Sequence, residues 1–491
     1  VARDPLSNAL ALAWHGHCSN NILARMSTPD QQPWIGVQVG AHTLYDEGIE
    51  HAFDLLRNTC QAKAVVVCSH GGGWRGAGSW VAQQRADHGR PLPEPPHYAP
   101  ATWVPTHDEH YRGLAHRWPQ ERETHYGACD IIEDCSAAAV ERGIDLYARF
   151  FECRAEYNAR GEWDEVDADG RATGRRCVNN PDWRAFSQAT AEDLVSHHPQ
   201  LTGVMYLQER HGPLDTVFGH KHDRAGHCFC EHCCRLGRER GLDPERARAG
   251  YRQISRLAAA AHADEPRPSD GWFLAFLRLL TSYPEILAWE QLFWDGIHGQ
   301  RQAIYRAAKG ANREVRVGWH IHHTIAFSPF TRAGLDYRRM QAYSDWVKPV
   351  VYHHCSGKRS RNHWFNGPCG SLFKDLRPEI ALGLMQDVLG YDPAHLPSLA
   401  DYQSGDIPGF DDDYVYRETA RAVAGCGTVP VYAGVGFDLP GDGDRPEMVE
   451  VSCRAALRAG AKGLLISREY EEMQVAHLEA VGSALRPKSA V

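Results

Sequence analysis

Glu209, Arg210 and His211 follow directly on the apolar run Gly203-Val204-Met205-Tyr206-Leu207-Gln208, and a turn at Gly212-Pro213 comes next. An acid, a base and an imidazole delivered at the end of one buried strand can move protons and bind polar ligands. Seven other apolar runs close on similar groups: His42 after residues 34–39, His70 after 64–68, Glu152 and Arg154 after 144–151, His320, His322 and His323 after 315–319, His353 and His354 after 347–352, Asp438 after 429–435, and Arg468 and Glu469 after 463–466. Carboxylates in such a set can act in pairs, one protonating a leaving oxygen while the other serves as nucleophile or as base for water. Glycosidic cleavage requires that pairing. Glu209 is the first choice for general acid/base, and Asp438, Glu469 or Glu152 for its partner. Arg210 beside Glu209 favours the anion, and Glu469, close to a helix start, also fits a simple helix cap.

Around these acids, His42, His70, Trp74, Arg154, Arg210, His211, His320, His322, Tyr352, His353 and Arg468 are candidates for binding substrate. Flat aromatic faces with polar rims suit the C–H faces of sugar rings, and the cations suit hydroxyls or an acidic substituent. The same histidines support a second reading, a divalent metal at the mouth serving a sugar lyase, isomerase or hydrolase. A non-catalytic sugar-binding barrel is a third. Gly71-Gly72-Gly73 lacks the order of a phosphate-binding loop, and Ser69-His70 lacks a nucleophile elbow.

Cys228-Phe229-Cys230-Glu231-His232-Cys233-Cys234 brings three thiols onto one turn. Thiolates at this spacing suit a structural zinc ion bound by Cys228, Cys230 and Cys233. The fourth ligand must come from elsewhere, with Cys177 first and His222, His227 and Cys234 as alternatives. The ion would pin an insertion that has no core of its own.

Such groups can meet only if the eight runs are eight parallel strands with one common mouth. The runs are valine-rich and nearly continuous, as expected of strands covered by helices outside and packed within. They predict an α/β fold, a (β/α)8 TIM barrel with long loop insertions. An N-terminal extension, residues 1–33, packs on the barrel; residues 34–491 form the catalytic domain, with a cysteine-rich insertion at about 210–300. Helices are expected from about Leu44 or Gly48 to Cys60, and at about 130–142, 181–197, 412–425, 446–459 and 471–485, the last with Met473, Val475, Leu478 and Val481 on one stripe. A formal charge of −9 supplies no field for a phosphate backbone, so no nucleic acid partner is expected. No apolar stretch is long enough to cross a bilayer, so no membrane partner is expected either. Fifteen cysteines in 491 residues are too dilute for a disulfide scaffold. A reducing, cytoplasmic setting and a homo-oligomer are the accompanying expectations.

The segment Cys177-Val178-Asn179-Asn180-Pro181-Asp182-Trp183-Arg184, Glu209 at the end of the next strand, and the Cys228–Cys233 run resemble the hypothetical glycosyl hydrolases of TIM-barrel form. More distantly they resemble the beta-galactosidase-like barrels that carry a cysteine-bound zinc. The resemblance covers residues 140–240 and implies that Glu209 is the proton donor in hydrolysis of a carbohydrate or glycoside. Two features depart from the pattern: Gln208 stands where the relatives often carry Asn, and no clear glutamate closes the seventh strand.

Overall fold

The computed structural model describes residues 32–70, 87–90, 102–119, 126–152, 161–220, 225–437 and 445–487. Most of the 1–33 extension, together with Trp74, Arg154, His222 and Asp438, lies outside them. Each apolar run forms a strand: β1 (Trp34–Val39), β2 (Ala64–His70), β3 (Asp145–Phe151), β4 (Gly203–Gln208), β5 (Arg316–Ile321), β6 (Trp346–Pro349), β7 (Tyr432–Ala433) and β8 (Gly463–Ile466). The pairing order is β6–β5–β4–β3–β2–β1–β8–β7, and Trp34 stands opposite Gly463 where β1 meets β8. Parallel bridges from Val347 to Val431 and from Val350 to Gly434 join β6 to β7. The sheet thus closes as a (β/α)8 barrel whose strands all end at one mouth.

Side chains alternate across each strand, so every second residue enters the barrel. Trp34, Tyr147, Trp346 and Tyr432 fill its lower part, with Trp34 stacked on Tyr432 at 4.2 Å between ring centroids. Glycine makes room for them: a Cβ on Gly318 would lie 2.0 Å from the Trp346 ring, and one on Gly203 2.4 Å from Tyr147. Arg316 ties this layer together by donating to the hydroxyls of Tyr147 and Tyr432. The other face of each strand carries Ile35, Val37, Val65, Val67, Val204, Val317 and Val347 into the layer beneath the helices.

Helix boundaries follow local chemistry. Asn180 caps the helix Pro181–His197 by accepting from the backbone N–H groups of Asp182 and Trp183, with Pro181 in the first turn. Gly143, left-handed at φ 62°, ends Ile131–Arg142. Gly48, at φ 92°, divides the expected first helix into Ala41–Glu47 and Ile49–Cys60. The last helix is shorter than the apolar stripe suggests: a 3-10 turn, Tyr470–Glu472, precedes Val475–Ala484, and Met473 lies between them. The region after β4 is also different in extent. Glu285–Ala311 packs back on the ring helix Pro181–His197, with Gln300 donating to Ser187 and Arg184 to the Gly296 carbonyl. The insertion therefore ends near residue 284. In the loop after β3 the sequence concealed a hairpin, Asp164–Val166 with Ala172–Arg176.

Candidate functional site

Strand parity decides which chain-end groups reach the mouth. Inward parity on β4 leads through Met205 and Leu207 to Glu209; on β5 it leads from Gly318 to His320 and His322. Glu209 places Oε1 3.8 Å from His320 Nε2 and Oε2 3.8 Å from His322 Nε2. Its side chain is 42% exposed, so a ligand can reach it, whereas those of His320 and His322 are 5% and 17% exposed. Burial holds both imidazoles well below the usual histidine range, so they stay neutral. His320 Nε2 is buried and makes no hydrogen bond to any described residue, an unfilled polar position on the floor of the mouth.

Below His320 lies Lys348 of β6, fully buried, with Nζ bound to Gln38 Oε1 and 3.3 Å from His320 Nδ1. Burial, then the neighbouring Arg149, hold its ammonium well below the ordinary lysine range. Arg149 of β3 donates to Glu469 Oε2 at 2.5 Å. Glu469 follows β8 and is pushed up to about 7 by burial, against the pull of Arg149. It is also a cap: its carboxylate and that of Glu472 each accept the other's backbone N–H. Tyr352 donates to Ser467 at 3.0 Å. Glu209 is thus linked to Lys348 through His320, while Glu469 is held by Arg149.

Other candidates go elsewhere. Glu152 has the outward parity of Phe150 and pairs with Arg210 at 2.6 Å; Arg210 also meets Glu165 at 3.3 Å, and His227 stands 3.5 Å from Glu165. This buried cluster underlies the β3 and β4 loops. Arg210 is thus turned from Glu209 toward Glu152. His353 faces the outer helices, with Nδ1 3.2 Å from Ser452 Oγ. The register shift between Cys68 and His70 turns His70 against Trp118 and Phe150. Burial pushes both His70 and His353 down to about 3. His42 pairs with Glu471, not Glu469, at 3.2 Å. Arg468 pairs with Glu472, while its carbonyl accepts from Gln38. His211 is held by Asp215 at 2.6 Å, lies edge-on to His322 and stacks toward His363.

Sequence reasoning passed over Arg149, Lys348 and Gln38. All three have a signal in the sequence: a polar side chain at an inward position of a strand that is otherwise apolar must be paired or used.

The cysteines form a separate centre. Cys177 Sγ lies 3.4 Å from Cys233 Sγ and 3.5 Å from Cys230 Sγ, and with Cys228 all four sulfurs fall within 4.8 Å of one another. These spacings exceed a disulfide bond of about 2.05 Å. They lie near the edge of about 3.8 Å that a tetrahedron with metal–sulfur bonds of about 2.3 Å would have. Backbone N–H groups of Val166, Asn179 and Cys230 and the Asn179 amide donate to the sulfurs. Cys230 caps the helix Glu231–Glu239, whose N-terminus favours a thiolate. The donor set therefore fits a metal ion. It joins two insertions, since Cys177 follows the hairpin and the other three follow β4. Two alternatives for the fourth ligand are engaged elsewhere: His227 with Glu165 and Thr216, and Cys234 with the Phe229 carbonyl.

Among the described residues, His107, Asp193 and His197, and Glu109, His110 and His197, also gather ligand atoms within 4.8 Å. Both groups sit at the end of Pro181–His197 that leads into β4, opposite the mouth. The mouth histidines form no such group, so the expected second divalent site there finds no cluster among the described residues. No described helix is long and apolar enough to cross a membrane.

No protein-family model and no curated protein matches the sequence. The structure is similar to the beta-galactosidase from the psychrophilic Marinomonas ef1, with 11% identity, a TM-score of 0.49, and coverage of 92% of this chain and 59% of that one. It is similar to the beta-galactosidase from the Antarctic haloarchaeon Halorubrum lacusprofundi, with 13% identity, a TM-score of 0.48, and coverage of 92% and 57%. The catalytic domain of the beta-amylase from Paenibacillus polymyxa is matched at 10% identity, with a TM-score of 0.47 and coverage of 92% and 99%. The chain thus spans less than two thirds of either galactosidase. At these values the likeness carries no argument about activity, which rests on the mouth itself.

Proposed function

We propose that this protein is a glycoside hydrolase-like enzyme that cleaves a glycosidic bond at the barrel mouth by carboxylate acid/base catalysis, with Glu209 and Glu469 as the pair. The observation that supports the reading is the accessible Glu209 carboxylate 3.8 Å from the buried His320 and His322, with Glu469 paired to the inward Arg149. Glu209 is the accessible member and exchanges the proton with the leaving oxygen. Glu469, balanced near neutrality by burial against Arg149, is the second carboxylate. The unfilled His320 Nε2 and the rims of His322 and His211 supply donors and acceptors for sugar hydroxyls. The four cysteines hold a structural zinc ion that fixes the two insertions beside the mouth.

Glu209→Gln tests the assignment. Glycoside turnover, followed as released reducing sugar, falls at least about a hundredfold with circular dichroism unchanged. Turnover near wild type would remove Glu209 from the mechanism. Glu469→Gln and Asp438→Asn then decide the partner: the variant that loses turnover to the same degree marks it.

A further inference from the structure

On the outside of the barrel, His110 Nε2 lies 3.3 Å from His197 Nε2, and Glu109 Oε1 lies 3.7 Å from the same His197 nitrogen. Two distant stretches of chain supply them: the 3-10 turn Asp108–Tyr111, in the loop after β2, and the last residue of the helix Pro181–His197. Ligand atoms of all three fall within 4.8 Å of one another. Asp193, one helical turn before His197, accepts from the His107 backbone N–H at 3.1 Å and meets the His107 ring at 2.7 Å, which seats the loop on the helix. Glu192 Oε1 stands 3.9 Å from the other ring nitrogen of His110.

Two nitrogens that both carry hydrogen repel at this distance, so His110 or His197 turns a lone pair into the space between them. The gap is long for a hydrogen bond, about 2.9–3.0 Å in the usual case. It matches two nitrogens on one tetrahedral ion, whose bonds of about 2.0–2.1 Å give an edge of about 3.3–3.4 Å. Glu109, with its side chain 52% exposed, has room to close on a third corner, and three protein ligands leave the fourth to water. The helix end adds a partial negative charge that favours a cation there. Acids scattered over a surface need no ion, but here the imidazoles face one another and the neighbouring Asp193 side chain is only 4% exposed. Two imidazoles with one carboxylate suit an ion of the zinc class, whereas magnesium and calcium take oxygen ligands.

We propose that Glu109, His110 and His197 bind a zinc-class divalent ion, separate from the four-sulfur centre, and that this ion fastens the loop after β2 to the helix leading into β4. Near its start the same loop pairs Thr102 with His70 at the end of β2, so the ion holds the far end of a segment that begins at the mouth. Its ligands are partly exposed, and the ion exchanges with the buffer. Elemental analysis of desalted protein therefore still counts only the cysteine-bound metal.

The test is titration of the desalted protein with zinc chloride, followed by calorimetry. One further equivalent binds, and His110→Ala, His197→Ala and Glu109→Ala each weaken that event at least about tenfold. Cobalt(II) chloride in place of zinc gives visible bands without thiolate charge-transfer absorption, which separates this centre from the cysteines. Zinc at about a hundred times its dissociation constant slows amide hydrogen exchange across residues 107–114 at least about tenfold in the wild type, and not in His197→Ala. Glu109 is exposed enough to be replaced without disturbing packing, so Glu109→Ala decides the matter if a histidine variant fails to fold. The proposal is overturned if the wild type takes up no further equivalent, if cobalt shows thiolate bands alone, if any folded variant binds as the wild type does, or if bound zinc leaves the exchange of residues 107–114 unchanged.

Discussion

Arg149 Nη2 lies 2.5 Å from Glu469 Oε2, an ion pair closing the space between the ends of β3 and β8 above the buried Lys348. Burial alone drives Glu469 toward its neutral form, and Arg149 is what holds it near 7. Replacing Arg149 by Met therefore raises the Glu469 midpoint further, and carbon-detected titration of the carboxyl follows it directly. Losing one member of a buried pair costs about 3–5 kcal/mol when the other remains charged. At pH 8.5, where Glu469 is ionised in the wild type, the variant suffers that loss; at pH 5.5, where the carboxyl is protonated, it suffers less. Equal losses in urea at the two pH values would show that the pair does not set the ionisation of Glu469.

The four sulfurs fasten the hairpin Asp164–Val166/Ala172–Arg176 to the segment before Glu231–Glu239, and the Phe229 N–H to Val166 carbonyl bond runs alongside. A metal ion contributes folding energy to such a junction without adding to the barrel core. Elemental analysis is expected to find one zinc per chain, lost in Cys230→Ser. Limited proteolysis then cuts within residues 161–177 and 225–240, while the far-ultraviolet spectrum keeps the barrel's signature. A full zinc complement in Cys230→Ser would place the metal elsewhere, at the His197 groups for instance.

Strand positions were legible because parallel strands covered on both faces read as unbroken apolar runs; β1 and β8 fall where those runs fall. The facing of their end groups was not. A strand end uncertain by one residue leaves parity open, and parity is what separates Glu209 and His320 from Glu152, Arg210 and His353. At β2 a register shift intervenes and turns His70 away. The hairpin escaped notice because its strands are short and polar, with Glu165 buried only through Arg210 and His227. Met473 read as helical because its spacing fits, but the capping of Glu469 and Glu472 closes a separate turn first.

Arg210 stands between Glu152 and Glu165, and the three are buried together. Burial pushes the Glu152 carboxyl up despite Arg210. Against the same burial, Arg210 and then His227 hold Glu165 down to about 2. Arg210→Met removes the arginine that both acids share and is expected to lose about 3–5 kcal/mol in chemical denaturation at pH 7. Adding Glu165→Gln to Arg210→Met should recover part of that loss, since the two residues share one network. Strict additivity of the two substitutions would mean that Arg210 acts independently of Glu165.

Glu290, in the helix Glu285–Ala311, accepts from the Leu214 N–H at 2.9 Å, the Trp294 indole at 2.9 Å and the Tyr251 hydroxyl at 3.3 Å, clamping the loop after Glu209 to that helix. Burial pushes its carboxyl up to about 7, well above the ordinary carboxylate range. The native state therefore holds a proton that the unfolded chain has released over this interval, and stability falls as pH rises through it. The penalty is absent below about 4.5, grows up to about 7 and is complete above that; each tenfold change in acidity is worth about 1.4 kcal/mol. Glu290→Gln removes the ionisation but leaves one N–H without its acceptor, which costs about 1–3 kcal/mol at every pH. The variant is thus less stable than the wild type at pH 5, and the gap narrows by about 2–3 kcal/mol by pH 8.5, because only the wild type must ionise a buried carboxyl. Comparing the two proteins cancels the buried histidines and the other raised carboxylates, Glu152, Glu469 and Glu472. Urea denaturation at half-unit steps from pH 5 to 8.5 measures the gap, and a constant difference across the range would mean that Glu290 titrates normally in the folded protein.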